Sequence, residues 1–349
     1  MEKEKPRNSN IELLRLFALY GVLILHYMHN GGGCGFAIDF AIANGIETPF
    51  FMILRGFFMQ SADLFFIIFG YCAFRSRKIT WKKPLLLILT VITGNLIHYA
   101  VNLLLGYGKF SFADLIFSMT PADYFVVLYC VLYLFSPYIN RFLEMLSDRE
   151  LLRFVIASFL CFSVWSFVID ALAAPTDSAW WRFLNPVGPV TTQHGYTILN
   201  CFLLYVLGAF CSRTQIAEKL SRTVWLLLYL AGSAGTFLLS NTGMDLDVVY
   251  SYNGPFVLIN AFALLNLFTS FDFQSQWVNR LAKPVFFIYT FHWGIFGLLG
   301  IEQVMQTGNH LLIVLHGLLV PAAVYLVCIP AYLLYRLYMR PLLGRPAGN

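Results

Sequence analysis

The stretch Ile11-Glu12-Leu13-Leu14-Arg15-Leu16-Phe17-Ala18-Leu19-Tyr20-Gly21-Val22-Leu23-Ile24-Leu25-His26-Tyr27-Met28-His29 is apolar apart from Glu12, Arg15, two histidines and two tyrosines. A helix needs about 20 mainly apolar residues to cross the hydrocarbon of a bilayer, so this stretch reads as a transmembrane helix. Similar runs recur at 57–74, 84–105, 124–138 with flanks, 154–173, 195–211, 224–240, 255–271, 284–300 and 311–335. They predict an all-α, polytopic membrane helix bundle of about ten spans. Residues 36–54 are also apolar, but they carry Asp39, Asn44, Gly45, Glu47 and Pro49 and read as an interfacial or re-entrant segment. The alternative is an eleventh span, which would break the charge pattern described below.

Composition agrees. Of 349 residues, 59% are hydrophobic and 12% charged, half the roughly 25% of charged residues in a soluble domain. That is too few charges to coat a water-soluble surface, and the apolar content excludes disorder. Long unbroken apolar runs argue against a porin-like barrel, whose strands alternate. Ten spans leave residues for loops and tails only. The expected organisation is a tail at 1–10, a single transmembrane domain at 11–340 and a second tail at 341–349, with any chemistry inside the bundle or at its rim.

Lys and Arg in the loops set the orientation. One set of ends carries Lys3, Lys5 and Arg7; Arg75, Arg77, Lys78, Lys82 and Lys83; Arg141, Arg149 and Arg153; Arg213, Lys219 and Arg222; Arg280 and Lys283; and Arg336, Arg340 and Arg345. The other side carries only Arg55, Lys109 and Arg182. This alternation places both termini in the cytoplasm. The net charge of +5 therefore reflects topology, and no nucleic-acid partner is expected. The basic start followed by residues 16–25 imitates a signal peptide, but Arg15 interrupts the run and no small-x-small site follows, so an uncleaved first helix is expected. The seven cysteines show neither paired spacing nor a zinc pattern, so no metal is expected. No Walker loop is present.

A charged side chain at a helix centre costs about 2.5–3.5 kcal/mol even on lenient scales, so each needs a reason. Arg15 and His26 are eleven residues apart, about three turns plus roughly 20°, which puts them on one helix face about 16 Å apart. This suits a ligand that enters from the cytoplasm with an anionic end and a reactive tip. The alternative is that Arg15 snorkels or pairs with Glu12 at i−3 while His26 is a hydrogen-bonded packing residue. Asp63, in the second span, is expected at a depth close to that of His26. It is a candidate orienter for His26 as general base, by the logic of hydrolase triads. It could instead cap its helix or pair with Arg55. His98 and His292 are also intramembrane, with cross-helix hydrogen bonds as their expected role. Tyr124 opens the fourth span. The basic run Arg75, Arg77, Lys78, Lys82 and Lys83 has two readings of equal weight, an anchor on anionic headgroups or a site for the phosphates of a nucleotide-like cosubstrate.

Several of these stretches together resemble integral-membrane acyltransferase family 3, bacterial enzymes that acylate cell-surface glycans. Arg7-Asn8-Ser9-Asn10-Ile11-Glu12-Leu13-Leu14-Arg15 followed by His26 is similar to the family's first helix with its Arg-x10-His pattern. Asp63-Leu64-Phe65-Phe66-Ile67-Ile68-Phe69-Gly70-Tyr71 resembles its "DLFFxxSGY" stretch, with Phe69 at the usual Ser. Tyr124-Phe125 through Tyr133-Leu134-Phe135-Ser136-Pro137 resembles "WF…LYLxSP", with Tyr124 at the usual Trp. Leu204-Tyr205-Val206-Leu207-Gly208-Ala209 is similar to "LYLxGA". Asn279-Arg280-Leu281-Ala282-Lys283 through Ile288-Tyr289-Thr290-Phe291-His292 is similar to a late "iYLiH" motif. The matches keep order over residues 7–335.

The resemblance implies an enzyme of the bacterial cytoplasmic membrane that moves an acyl group, usually acetyl, from cytoplasmic acyl-CoA to a carbohydrate hydroxyl. The acceptor would be a polysaccharide, a lipid-linked glycan or a small sugar. His26 and Asp63 would then be catalytic, and Arg15, Arg75, Arg77 and Lys78 would hold the cosubstrate, with His98, Tyr124 and His292 as further intramembrane candidates. Membrane lipids, and in some systems a separate extracytoplasmic transferase, are the expected partners. Two other classes compete: a transporter of a solute or lipid-linked glycan, and a non-catalytic partner in envelope polysaccharide assembly.

Overall fold

Backbone N–H and C=O groups have no water to bond in hydrocarbon, so a span must satisfy them internally, and a helix does so. The computed structural model describes residues 8–28, 37–46, 49–74, 79–176, 179–188, 193–296 and 299–343, and among these every regular element is helical. In chain order they are α1 (Ser9–Met28), α2 (Ala37–Ala43), α3 (Pro49–Phe58), α4 (Ser61–Ala73), α5 (Lys82–Leu104), α6 (Phe112–Ser118), α7 (Tyr124–Met145) and α8 (Asp148–Phe159). A π turn at Leu160–Val164 joins α8 to α9 (Trp165–Ala173). Then follow α10 (Ala179–Arg182), α11 (Ile198–Thr214), α12 (Arg222–Ser240), α13 (Leu246–Val249), α14 (Pro255–Thr269), α15 (Gln276–Leu281), α16 (Val285–Phe291), α17 (Ile301–Gln306) and α18 (His310–Leu343).

Among the described residues, seven stretches are long and apolar enough to cross a membrane, and α11 and α14 are shorter apolar helices. The protein is an all-α polytopic bundle. Three expected boundaries shift. The second span begins at Pro49, because α3 and α4 together make one 25-residue apolar stretch; Pro49 at the first helical position is pre-shaped for a helix start. The segment expected to be interfacial at 36–54 is thus divided between α2 and the first half of α3. The fifth span starts at Asp148, where Ser147 and Glu150 form a reciprocal capping box. The stretch 284–300 is not one helix: α16 stops at Phe291 and a 3-10 turn occupies His292–Gly294. Gly294, Gly297 and Gly300 make that region a poor helix former, and Gly300 has φ +64°.

The chain divides into two units. The first comprises Met1–Val22, Pro49–Pro84 and Tyr124–Arg280; the second comprises Leu23–Thr48, Leu85–Asp123 and Leu281–Asn349. Within the first, α4 and α11 touch backbone to backbone. A Cβ on Gly70 would sit 2.0 Å from the Tyr205 carbonyl oxygen, and one on Gly208 would sit 2.0 Å from that of Ile67. Small residues at such crossings let helices approach where lipid supplies no hydrophobic drive. Both glycines lie in the motif stretches quoted above. Phe69 is buried against Tyr129, Tyr133 and Tyr205, so the aromatic ring at the family's serine position fills space. Tyr205 Oη donates to Asn140 Oδ1 (2.7 Å), and Asn140 Nδ2 donates to the Ala73 carbonyl (2.9 Å), tying α11, α7 and α4 together. At the other end of α1, Ser9 Oγ donates to Asn279 Oδ1 at 3.1 Å and accepts from Ser275 N at 2.8 Å.

The second unit is held by hydrogen bonds and rings. Thr90 on α5 and Tyr335 on α18 share a hydroxyl pair at 2.7 Å, and Phe287 of α16 packs on Tyr335 at 4.8 Å. Tyr27 Oη lies 2.8 Å from His316 Nδ1, and His316 Nε2 lies 3.0 Å from the Leu299 carbonyl.

The glycine contacts lead to a stability prediction. Gly70→Ala and Gly208→Ala will each destabilise by about 1–3 kcal/mol, since the nearest neighbours are backbone atoms that cannot swing away. Gly94→Ala, whose nearest neighbour would be 3.7 Å away, will stay near wild type. Thermal unfolding in detergent separates the two classes, and equal melting temperatures would refute the close-packing argument.

Candidate functional site

The second unit places His26 against His292. His26 lies in the last turn of α1; His292 lies where α16 gives way to the 3-10 turn. His26 Nδ1 is 2.6 Å from His292 Nε2, and His292 Nδ1 is 2.9 Å from the Ile288 carbonyl oxygen. His292 is fully buried, whereas His26 keeps intermediate exposure. The Trp293 ring packs on His26 with centroids 4.4 Å apart. The expected cross-helix hydrogen bond of His292 is therefore made, and its partner is His26. A half-buried imidazole anchored through one nitrogen can exchange a proton through the other.

The first unit holds Arg15 and Asp63. Arg15 Nη1 donates to Glu12 Oε1 at 3.0 Å, one helical turn back, with Glu12 6% and Arg15 35% exposed. The i−3 pairing expected as an alternative is thus formed, and it uses one of the five guanidinium donors. Arg15, Glu12 and Lys83 all lie within electrostatic reach of the exposed Cys72 thiol, and Arg15 also reaches the Tyr129 phenol. Lys83 Nζ lies 5.7 Å from the centre of the Tyr133 ring, and Tyr133 Oη accepts from Thr80 N at 3.0 Å. Phe69 packs on Tyr129 at 4.6 Å. Two cations thus border an aromatic floor. The sequence reading marked Lys83 as part of a basic run and Tyr133 as part of a motif stretch; Tyr129 and Cys72 carried no signal of their own beyond their place in apolar spans. Arg75, Arg77 and Lys78 lie outside the described residues.

Asp63 is fully buried in the first turn of α4. Its Oδ1 accepts from Asn200 Nδ2 at 3.3 Å, while its Oδ2 and Asn200 Oδ1 have no hydrogen-bond partner among the described residues. It neither caps the helix through its side chain nor pairs with Arg55, whose guanidinium lies 3.9 Å from the centre of the Tyr250 ring. Asp63 takes Asn200 as its partner within the first unit, and His26 takes His292 within the second. Periodicity along one chain segment does not encode such partners on other helices. Outside the spans, burial pushes the Tyr252 phenol up to about 12; the nearby Asp63 adds to this and Arg55 opposes it.

His98, on α5, is of intermediate exposure. Tyr124 is 42% exposed at the start of α7, with its ring 6.2 Å from that of Tyr196. Among the described residues, no three His, Cys, Asp or Glu side chains gather as a metal site would require.

Residues 8–336 match the acyltransferase-3 family model, described as an acyltransferase domain. Neither a search of curated proteins nor one of solved structures finds a match.

The Asp63–Asn200 pair can be tested by stability. Asp63→Asn keeps an oxygen acceptor without a buried charge and will unfold no earlier than wild type. Asp63→Leu strands the Asn200 amide and will be less stable than Asp63→Asn by about 1–3 kcal/mol. Equal thermal unfolding of the two variants in detergent would show that the hydrogen bond contributes nothing.

Proposed function

Since the chain belongs to acyltransferase family 3 and is an acyltransferase, we propose that it is an O-acyltransferase of the bacterial cytoplasmic membrane. It moves an acyl group, acetyl in the simplest case, from cytoplasmic acyl-CoA to a hydroxyl of an envelope or exported carbohydrate. The observation that carries this reading is His26: a half-buried imidazole in an apolar helix, anchored at Nδ1 by His292 and packed on Trp293. A general base for a hydroxyl needs such an oriented ring.

Acyl-CoA is an anionic nucleotide with a long thin arm ending in a thioester. Arg15 and Lys83 are its proposed phosphate contacts, with Tyr129 and Tyr133 beside them as an apolar wall. Arg75, Arg77 and Lys78, in the basic run between α4 and α5, are proposed as further cosubstrate contacts. Arg15 and His26 are eleven residues apart on α1, a rise of about 16 Å, a span that the pantetheine arm can cover. With both termini in the cytoplasm, the Arg15 end of α1 faces the donor and the His26 end faces the acceptor. The acyl group goes directly to a polysaccharide, a lipid-linked glycan or a small sugar, or is handed to a separate extracytoplasmic transferase.

In purified protein reconstituted in nanodiscs, labelled acetyl-CoA will transfer to a sugar acceptor or hydrolyse. His26→Ala will reduce this by at least roughly 100-fold. Arg15→Ala and Lys83→Ala will raise KM for acetyl-CoA and leave kcat comparatively unchanged, the pattern of lost ground-state binding. Undiminished turnover by His26→Ala would remove that residue from the chemistry. Solute uptake driven by a gradient, with no dependence on acyl-CoA, would overturn the proposal as a whole.

A further inference from the structure

Three atoms fix the proton arrangement around His26. A carbonyl oxygen only accepts, so the 2.9 Å contact between His292 Nδ1 and the Ile288 carbonyl requires the hydrogen on Nδ1. A neutral imidazole carries one N–H, so His292 Nε2 presents a lone pair. His26 Nδ1, 2.6 Å from that lone pair, must therefore donate to it. His26 is left with its hydrogen on Nδ1 and its own lone pair on Nε2. Without the carbonyl fixing the hydrogen on His292 Nδ1, His292 Nε2 could donate instead, and His26 would then carry its hydrogen on Nε2, useless to a base.

We infer that His292 is a positioning residue that holds His26 in the Nδ1–H tautomer and makes Nε2 the atom that takes the proton. The inference rests on the reading of His26 as general base and adds the residue and the atom through which that base is set. The local backbone supports it. Because α16 ends at Phe291, the Ile288 carbonyl sits in a terminal turn, where it accepts the His292 N–H and, with its second lone pair, His292 Nδ1. Full burial of His292 and an edge-on contact to Phe296 at 6.0 Å keep its ring in place. The Trp293 ring packs against His26 with centroids 4.4 Å apart and restrains its ring further.

The step balances without a further reagent. The acceptor oxygen bonds to the thioester carbonyl carbon as its proton moves to His26 Nε2, and the C–S bond breaks. His26 then returns that proton to the departing sulfur. The products are the ester and free thiol. While His26 is charged, its Nδ1–H bond to His292 Nε2 becomes a charge-assisted one, shorter and stronger than between neutral partners.

Amide side chains test this, because glutamine places its terminal group near the imidazole Nε2 position and asparagine reaches only the Nδ1 position. The full-length protein in nanodiscs, assayed for kcat and KM with acetyl-CoA, is the system. His292→Gln, which can still accept from His26 Nδ1–H, is expected to keep kcat within about threefold. His292→Asn and His292→Leu are expected to lose about 100-fold in kcat with KM for acetyl-CoA unchanged, as expected when a base is misoriented and binding is intact. Thermal unfolding of all three variants accompanies the kinetics, and comparison of Gln with Asn, of similar polarity, cancels a merely structural effect. Equal kcat for folded Gln and Asn variants, or full activity in the Leu variant, overturns the inference. If His26→Ala also retains full turnover, the underlying reading fails; if His26→Ala is inactive while His292→Leu is not, only the role of His292 fails.

Discussion

Hydrocarbon supplies no hydrogen-bond partner, so a polar atom carried by a span must find one on the protein or go without. That constraint orders this chain. Its polar side chains reach across helices in short, specific pairs: Tyr205 with Asn140, Thr90 with Tyr335, Asp63 with Asn200, Tyr27 with His316, and His26 with His292. Such bonds can form only where backbones come close, and glycine makes the closest approach possible. Gly70 and Gly208 let α4 and α11 meet at their carbonyls, the same two helices that Asp63 and Asn200 join.

The same constraint gives meaning to the break after α16. Ending a helix among apolar residues exposes carbonyls that must be satisfied, and here one of them, Ile288, is used to hold an imidazole. An interrupted helix therefore converts a backbone acceptor into a device that sets the protonation pattern of two histidines. In the hydrolase triads a carboxylate performs this service. Here the carboxylate candidate, Asp63, is engaged with Asn200, and a second histidine backed by a carbonyl stands in that place. A neutral pair of rings brings no fixed charge into the membrane, which suits a site surrounded by apolar side chains.

Much of this was legible along the chain. Apolar run length marked the spans, and the nearly whole-chain family match over residues 8–336 agrees with the resemblance carried by the motif stretches. The glycines of those motifs have a packing reason, and Phe69 shows why the serine position tolerates an aromatic ring: it packs against Tyr129, Tyr133 and Tyr205. Less legible were places where local chemistry overrode the run. Ser147 and Glu150 start a helix before hydropathy rises, and α16 gives way to a 3-10 turn after Phe291 while hydropathy is still high.

The sequence alone determined the helical class, the spans and the shared face of Arg15 and His26, because helix periodicity and hydrocarbon thickness act within one segment. It also placed Arg15 one turn from Glu12, and that ion pair is formed. Only the tertiary structure decided which side chains complete each site. His292 is 266 positions from His26, and Asn200 is 137 from Asp63. Periodicity says which face a residue occupies; it does not say which other helix will be packed against that face. That choice rests on backbone approach, ring packing and the competition among polar neighbours, and within its unit it gave His26 a histidine as partner.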